Sequence, residues 1–227
     1  MSDVTIYGFA PAWGLPTTGP FVMKTLAWLG QNGVDHRFKV QNLSSKSPNG
    51  KIPYADVYGK VIADSDRIIQ TVAQHKGINI EGRHDPVLIA FEELFHQIVE
   101  WELFVHPNGK AALSKYLADL LPPVVRRLAY WQMTSHYAKQ LYARGITRHT
   151  PDEIAEKGKG LLDTLEAILS ERRFLGGDTP NYADMGTFGQ VSLGVNWDFS
   201  SPVGDYAKTL PNIGNWVSLI REQYIKV

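Results

Sequence analysis

The chain has 227 residues, enough for one large domain or two modest ones. Its 23 Lys and Arg balance 23 Asp and Glu, which argues against nucleic acid or an anionic membrane as the main partner and leaves room only for a local basic patch. With no cysteine there is no disulfide, thiolate metal ligand or cysteine nucleophile, and the seven scattered His form no metal-ligand spacing, so no metal site is expected.

Val4, Ile6 and Gly8 alternate along a first strand, with Phe9 at its end. Residues 10–16 (APAWGLP) read as a loop, because two prolines and a glycine exclude a helix. A helix is expected from Pro20, a residue favoured at the first helical position, with apolar faces at Phe21, Met23, Leu26, Trp28 and Leu29 and a stop at Gly30 or Gly33. Phe38 and Val40 alternate with Arg37 and Lys39 in a second strand over 35–40, and residues 44–50 form a polar loop. Residues 50–72 (GKIPYADVYGKVIADSDRIIQTV) are the most informative stretch. Two short strands, 54–58 and 60–63, hinge at Gly59, and Asp64-Ser65 opens a helix to about His75 with Gly77 as its stop. A proline entering a strand is an edge or a breaker, or else a cis-proline that leaves the preceding backbone groups free. A Ser at a helix start presents unpaired N–H groups to an anion. Together these features describe a backbone-lined slot for a small, charged, peptide-like ligand.

The order is β-α-β followed by β-β-α, a right-handed parallel crossover and then an antiparallel hairpin. This is the thioredoxin-like plan, an α/β domain over residues 1–77. Residues 78–85 (INIEGRHD) read as a linker, and residues 86–227 as an all-α helical domain. Leu88, Phe91, Phe95, Ile98 and Glu102 mark one helical face, widened by Leu94, Trp101 and Phe104. A helix is expected over 124–141, closing before Gly145. Thr150-Pro151-Asp152-Glu153 is a capping box that starts a helix through Leu162, Leu165, Ile168 and Leu169 to a stop near Gly176-Gly177. Asn181-Tyr182-Ala183-Asp184 and Pro211 open further helices. Arg148-His149, between Gly145 and Thr150, reads as a ligand or partner site or, the favoured structural reading, as the helix-helix turn, with Arg148 bonding free carbonyls of the preceding helix. No apolar run approaches the roughly 20 residues that span a bilayer, and the first residues lack a basic segment followed by an apolar one. The expected location is the cytoplasm, with no membrane partner.

A thioredoxin-like domain followed by an all-helical one resembles the glutathione S-transferase fold, and the motifs match in order. Lys51-Ile52-Pro53 resembles that family's cis-proline loop, Asp64-Ser65 its γ-glutamyl-binding pair, and Asn181-Tyr182-Ala183-Asp184 its capping motif, in which Asn181 and Asp184 are structural. LPTTGPF (15–21), SPNGKIP (47–53) and YARGITRHTPDEI (142–154) are similar to the failed-axon-connections and metaxin-like branch. The resemblance implies glutathione as co-substrate, a small hydrophobic electrophile as second substrate, and a homodimer. The Ser65 helix and the first helix of the second domain would form the dimer face, with charge pairs from Arg67, Glu92 and Glu93.

Activation requires a thiol with pKa about 9 to ionise near pH 7, a shift worth roughly 3 kcal/mol. The family's donors are a Tyr ending the first strand or a Ser, Cys or Thr just before the first helix. Here that last position is Gly19, which has no side chain to donate. Thr18 is the first substitute, Thr17 the second and Tyr7 the third, with the backbone N–H groups of Gly19 or Phe21 as the alternative to any hydroxyl. Lys51 would reach the glycyl carboxylate of the ligand. Trp13 and Leu15, with Trp101, Phe104 and Tyr116, would line the second-substrate site. The missing donor keeps a second reading open, a non-catalytic binding or assembly module of the metaxin-like type. Glutathione-dependent reduction or isomerisation is a third.

Overall fold

The alternation in the first third of the chain becomes a four-stranded mixed sheet in the computed structural model, which describes residues 3–226. Strands β1 (Val4–Gly8), β2 (Arg37–Val40), β3 (Tyr54–Val57) and β4 (Lys60–Ala63) lie in the order β2-β1-β3-β4. β2 runs parallel to β1 across the helix α1 (Pro20–Gln31), and β1/β3 and β3/β4 are antiparallel. The register pairs Tyr7 with Tyr54 and Tyr54 with Ala63. It therefore brings the loop after β1, the entry to β3 and the exit from β4 to one end of the sheet.

β1 shows the strict alternation of a strand covered on one face: Val4, Ile6 and Gly8 are buried, and Thr5 and Tyr7 are half-exposed. A Cβ at Gly8 would meet Phe38 and Val22, both at 2.6 Å, so the buried face packs beneath α1. The helix α2 (Ser65–Lys76) follows β4 and ends at Gly77 in the left-handed conformation, which a glycine adopts without steric cost.

The rest of the chain is helical: α3 (Pro86–Ala90), α4 (His96–Phe104), α5 (Pro107–Leu120), α6 (Pro123–Arg144), α7 (Pro151–Glu171), α8 (Tyr182–Asn196), α9 (Pro202–Ala207) and α10 (Pro211–Tyr224). α8 is buried along almost its whole length and packs on α1. Gly189 permits this approach, since a Cβ there would lie 2.4 Å from the Pro20 carbonyl oxygen. Both capping boxes form. Thr150 Oγ1 accepts from Glu153 N–H at 3.3 Å. Asp184, buried, accepts from the N–H groups of Asn181, Leu175 and Gly176 and from the Trp216 indole, and so ties the start of α8 to the end of the α7–α8 turn.

The structure departs from the pattern in four places. α5 and α9 are additional helices. α5 buries only Gly109, Leu113 and Leu117, a stripe too narrow to stand out, and its Pro107-Asn108-Gly109 start resembles a turn. α7 ends at Glu171, well before Gly176, because Arg172 is extended and residues 174–177 close on themselves in a bridge. Between α3 and α4, residues Phe91–Phe95 form a π turn, which shifts the phase of the side chains.

Candidate functional site

Three segments meet at the end of the sheet defined by the register. The first is the entry to β3. The Ile52–Pro53 bond is cis, and the Ile52 N–H and C=O have no hydrogen-bond partner among the described residues. The Pro53 carbonyl instead accepts from Asp64 N–H at 3.2 Å and ties this turn to the start of α2. Asn49 organises the approach: its Oδ1 accepts from Lys51 N–H (3.1 Å) and from the Ser47 hydroxyl (2.8 Å). This leaves Lys51 exposed, with no ion-pair partner among the described residues. Asn49 was not among the expected residues; its Asx-turn position in SPNGKIP is the signal that could have found it.

The second segment is the start of α2. Asp64 has φ +82° and ψ 129°, a backbone conformation that non-glycine residues avoid at a cost of about 1–3 kcal/mol. Its Oδ1 accepts from the N–H groups of Asp66 (3.0 Å) and Arg67 (3.4 Å). The helix N-terminus is thus largely capped from within, which corrects the expectation of a row of free N–H groups. What remains for a ligand is the N–H and hydroxyl of Ser65 and the second carboxylate oxygen of Asp64.

The third segment is the start of α1. Thr17 is fully buried, and its Oγ1 accepts from Gly19 N–H at 3.3 Å. Thr17 therefore shapes the turn and has no face toward a ligand, and the Gly19 N–H is spent. Pro20 has no N–H, and the N–H groups of Val22 and Met23 bond to the Gly19 carbonyl. The Phe21 N–H is left unpaired among the described residues, at the positive end of a 12-residue helix. Thr18 is half-buried near the Tyr116 hydroxyl of α5, which donates to the Ala10 carbonyl at 3.3 Å. Burial pushes the Tyr116 phenol up, partly offset by Thr18, so it stays a neutral hydroxyl. Tyr7 lies elsewhere. It projects from the sheet face opposite α1 and stacks on Tyr54 with ring centroids 4.5 Å apart. That placement corrects its candidacy as a donor beside α1.

Of the expected second-substrate residues, Trp13 sits in an aromatic box with Tyr116 (5.9 Å), Trp197 (6.2 Å) and Phe199 (5.9 Å). The Gly14 carbonyl accepts from Arg221 of α10, which anchors the loop on the helical domain. Leu15 is a correction. Its N–H bonds back to the Ala12 carbonyl at 2.8 Å, and the side chain turns into the core. Trp101 is also buried, against His106, and Phe104 stacks on Tyr137 at 3.8 Å. No sequence signal marked Trp197, Phe199 or Arg221, which lie about two hundred positions from Trp13.

A charged cluster joins the two halves next to this site. Lys24 of α1, completely buried, pairs with Asp66 at 2.6 Å and Glu92 at 2.7 Å. Its ammonium also lies 4.6 Å from the Tyr182 ring, and the Tyr182 hydroxyl donates to Asp66 at 2.7 Å. Burial alone would raise Asp66, but the Lys24 charge and these hydrogen bonds outweigh it and hold the carboxyl below its usual range. For Glu92 burial wins over Lys24 and the carboxyl is raised. One ammonium serves two carboxyl groups and favours the ionised form of Asp66 more than that of Glu92. Glu92 is therefore committed within the chain, not free for a dimer face as expected.

Residues 20–106 match a family model described as the glutathione S-transferase N-terminal domain. The isoprene-epoxide–glutathione S-transferase of Rhodococcus sp. (strain AD45) is 24% identical over 97% of this chain and 99% of its own length. Failed axon connections of Drosophila melanogaster is 25% identical over 97% of this chain and 57% of its own length. Among solved structures, the beta-etherase LigF from Sphingobium sp. strain SYK-6 superposes with a TM-score of 0.62, covering 96% of this chain and 95% of that one at 18% identity. The expected fold, thioredoxin-like domain plus helical domain, holds.

Proposed function

We propose that the chain is a member of the glutathione S-transferase superfamily, whose N-terminal domain its residues 20–106 match, and that it binds glutathione and activates its thiol for addition to a small electrophile. One observation carries the proposal: the register gathers the unpaired groups of Ile52, Ser65 and Phe21 at one end of the sheet, beside Lys51 and Asp64. Glutathione has a matching set of charges. The Ile52 N–H and C=O would pair with the cysteinyl backbone. The Ser65 N–H and hydroxyl would hold the γ-glutamyl carboxylate, and the second oxygen of Asp64 would meet its ammonium. Lys51 would meet the glycyl carboxylate. The sulfur then falls toward the start of α1, where the Phe21 N–H and the Thr18 hydroxyl are the donors. The thiol gives its proton to solvent, the thiolate forms a C–S bond, and the electrophile's leaving bond breaks toward the heteroatom. The Trp13–Tyr116–Phe199 wall suits an apolar second substrate.

Calorimetry with glutathione tests the binding step, and turnover with a small epoxide tests the chemistry. The proposal fails if glutathione binds more weakly than about 1 mM, roughly 4 kcal/mol. Gly19 favours a second reading, since it supplies neither hydroxyl nor free N–H: a module that keeps the fold for binding or assembly without turnover. Tight glutathione binding with an unshifted thiol would select it. We expect a cytoplasmic homodimer, with Arg67, Ile89 and Glu93 on the contact face, and light scattering would give its mass.

A further inference from the structure

One surface of the helical domain is unused by the site described. On α6, Val124, Leu128 and Trp131 recur at helical spacing and are 84%, 63% and 65% exposed. Tyr142, also exposed, continues the same line toward the end of the helix, about 27 Å from Val124. Pro123, Val124, Arg127, Leu128 and Trp131 enclose a shallow concavity of about 640 Å³. A stripe of this kind marks an interaction surface, since a monomer's surface rarely carries aligned large apolar side chains without a use.

Charge identifies the occupant. Residues 120–151 hold five Arg or Lys and no Asp or Glu, in a chain whose total charge is zero. Arg144 is paired with Glu100. Arg126, Arg127, Lys139 and Arg148 lie in no ion pair among the described residues. By helical position Arg127 and Lys139 border the two sides of the apolar stripe, and the Arg148 guanidinium lies over the Tyr142 ring, 5.0 Å from its centroid. A second copy of the same face would oppose basic residues to basic residues. The exposed Val40 and Leu43 offer no better complement, because Arg37, Lys39 and Lys46 adjoin them in sequence. Nucleic acid would satisfy the charge but offers nothing to a Val-Leu-Trp ridge.

We propose that α6 docks on an anionic lipid surface, with Val124, Leu128 and Trp131 entering the headgroup boundary and Arg127 and Lys139 meeting lipid phosphates. Apolar burial combined with basic flanks is the chemistry by which interfacial helices bind such membranes. Only this local patch is basic, so overall neutrality is no obstacle.

Flotation of the full chain with vesicles tests it, using phosphatidylcholine alone and with about 30% phosphatidylserine. The expected result is binding to the anionic vesicles, weakened by salt and by at least about tenfold in the double variant Leu128→Glu/Trp131→Glu. Arg127→Glu/Lys139→Glu should weaken it without touching the ridge. These positions are exposed, and circular dichroism confirms that the variants fold. The proposal is overturned if the wild type floats with neither vesicle, or if the double variant floats as well as the wild type. It is equally overturned if light scattering shows the double substitution splitting a dimer while vesicles leave the wild type unbound; the stripe is then an interface between copies.

Discussion

Replacing Thr18 by Val removes the hydroxyl proposed as the side-chain donor to the sulfur while keeping the shape of the residue. Bringing a bound thiol from about 9 to about 7 requires roughly 3 kcal/mol of preferential stabilisation of the thiolate. A hydrogen bond to a charged group contributes about 1.5–3 kcal/mol, so Thr18 could supply half or more, and the free Phe21 N–H with the dipole of α1 the remainder, about 0.3–1 kcal/mol from the dipole. Thr18→Val should therefore raise the bound thiol by about one to two pKa units. The complementary change is Gly19→Ser. The backbone of Gly19 (φ −96°, ψ 114°) is open to any residue, and a Cβ would meet Val22 Cγ2 at 2.9 Å and Phe9 Cδ2 at 3.2 Å, so the buried Val22 must shift slightly to admit it. Serine there would restore a hydroxyl at the helix start and lower the thiol by about one unit. The assay is the ultraviolet absorbance of thiolate in the glutathione complex as a function of pH. If Thr18→Val moves the midpoint by less than about 0.3 unit, the hydroxyl takes no part and the backbone alone acts on the sulfur.

Asp64→Asn keeps an oxygen for the Asp66 and Arg67 N–H groups but removes the charge facing the ligand ammonium, so glutathione affinity by calorimetry should fall about tenfold or more with little change in melting temperature. Lys24→Met leaves two carboxylates without their cation, and the loss of a buried partner should cost about 3 kcal/mol, read as a melting temperature lower by about 6–12 °C. Glu102 gives a pH dependence. This carboxyl is buried, accepts from Val203 N–H at 2.6 Å and from Gly204 N–H, and burial pushes it up to about 7 against 4.5 unperturbed. The folded state therefore keeps a proton that the unfolded chain releases. Its stabilising effect is complete below about pH 4.5 and is lost as pH rises to about 7, a change of order 3 kcal/mol. Denaturant unfolding at several pH values should show wild type losing stability over that window relative to Glu102→Gln, whereas parallel curves would refute it.

What could be read from the sequence follows from the range of each interaction. The capping boxes at Thr150 and Asn181 were legible because donor and acceptor lie three residues apart. The turn at Arg148 was legible for the same reason: its Nε donates to the Tyr142 carbonyl, six positions back, at 3.2 Å. Lys24 carries no sequence signal of its own, since its partners stand 42 and 68 positions away. Glu92 was misplaced by a local cause. Glu92 follows the buried Leu88 by four positions and shares its face, so it turns inward toward Lys24 although a glutamate there reads as an outward charge. Leu15 failed similarly, because a loop of prolines and glycine hides the back-bond to Ala12 that folds the side chain inward. Local chemistry is visible to a pattern; partners supplied by the second domain are not.

That division bears on how the site works. The peptide-binding groups at Ile52, Asp64 and Ser65 belong to the first domain, tied together by the Asp64–Pro53 backbone bond. The sulfur end is different: Thr18 meets a hydroxyl from α5, and the loop before it is held by Trp197, Phe199 and Arg221. Binding and activation are thus carried by different sets of contacts, joined by Lys24 between α1, α2 and the π turn. Loosening the domain contact should therefore affect thiol ionisation before it affects affinity. Tyr116→Phe isolates this coupling. It removes the hydroxyl beside Thr18 and touches none of the peptide-binding groups, so affinity for glutathione should hold while the bound thiol shifts by less than in Thr18→Val. Equal losses of affinity and ionisation would mean that the two ends of the slot are one unit and that the separation argued here is wrong.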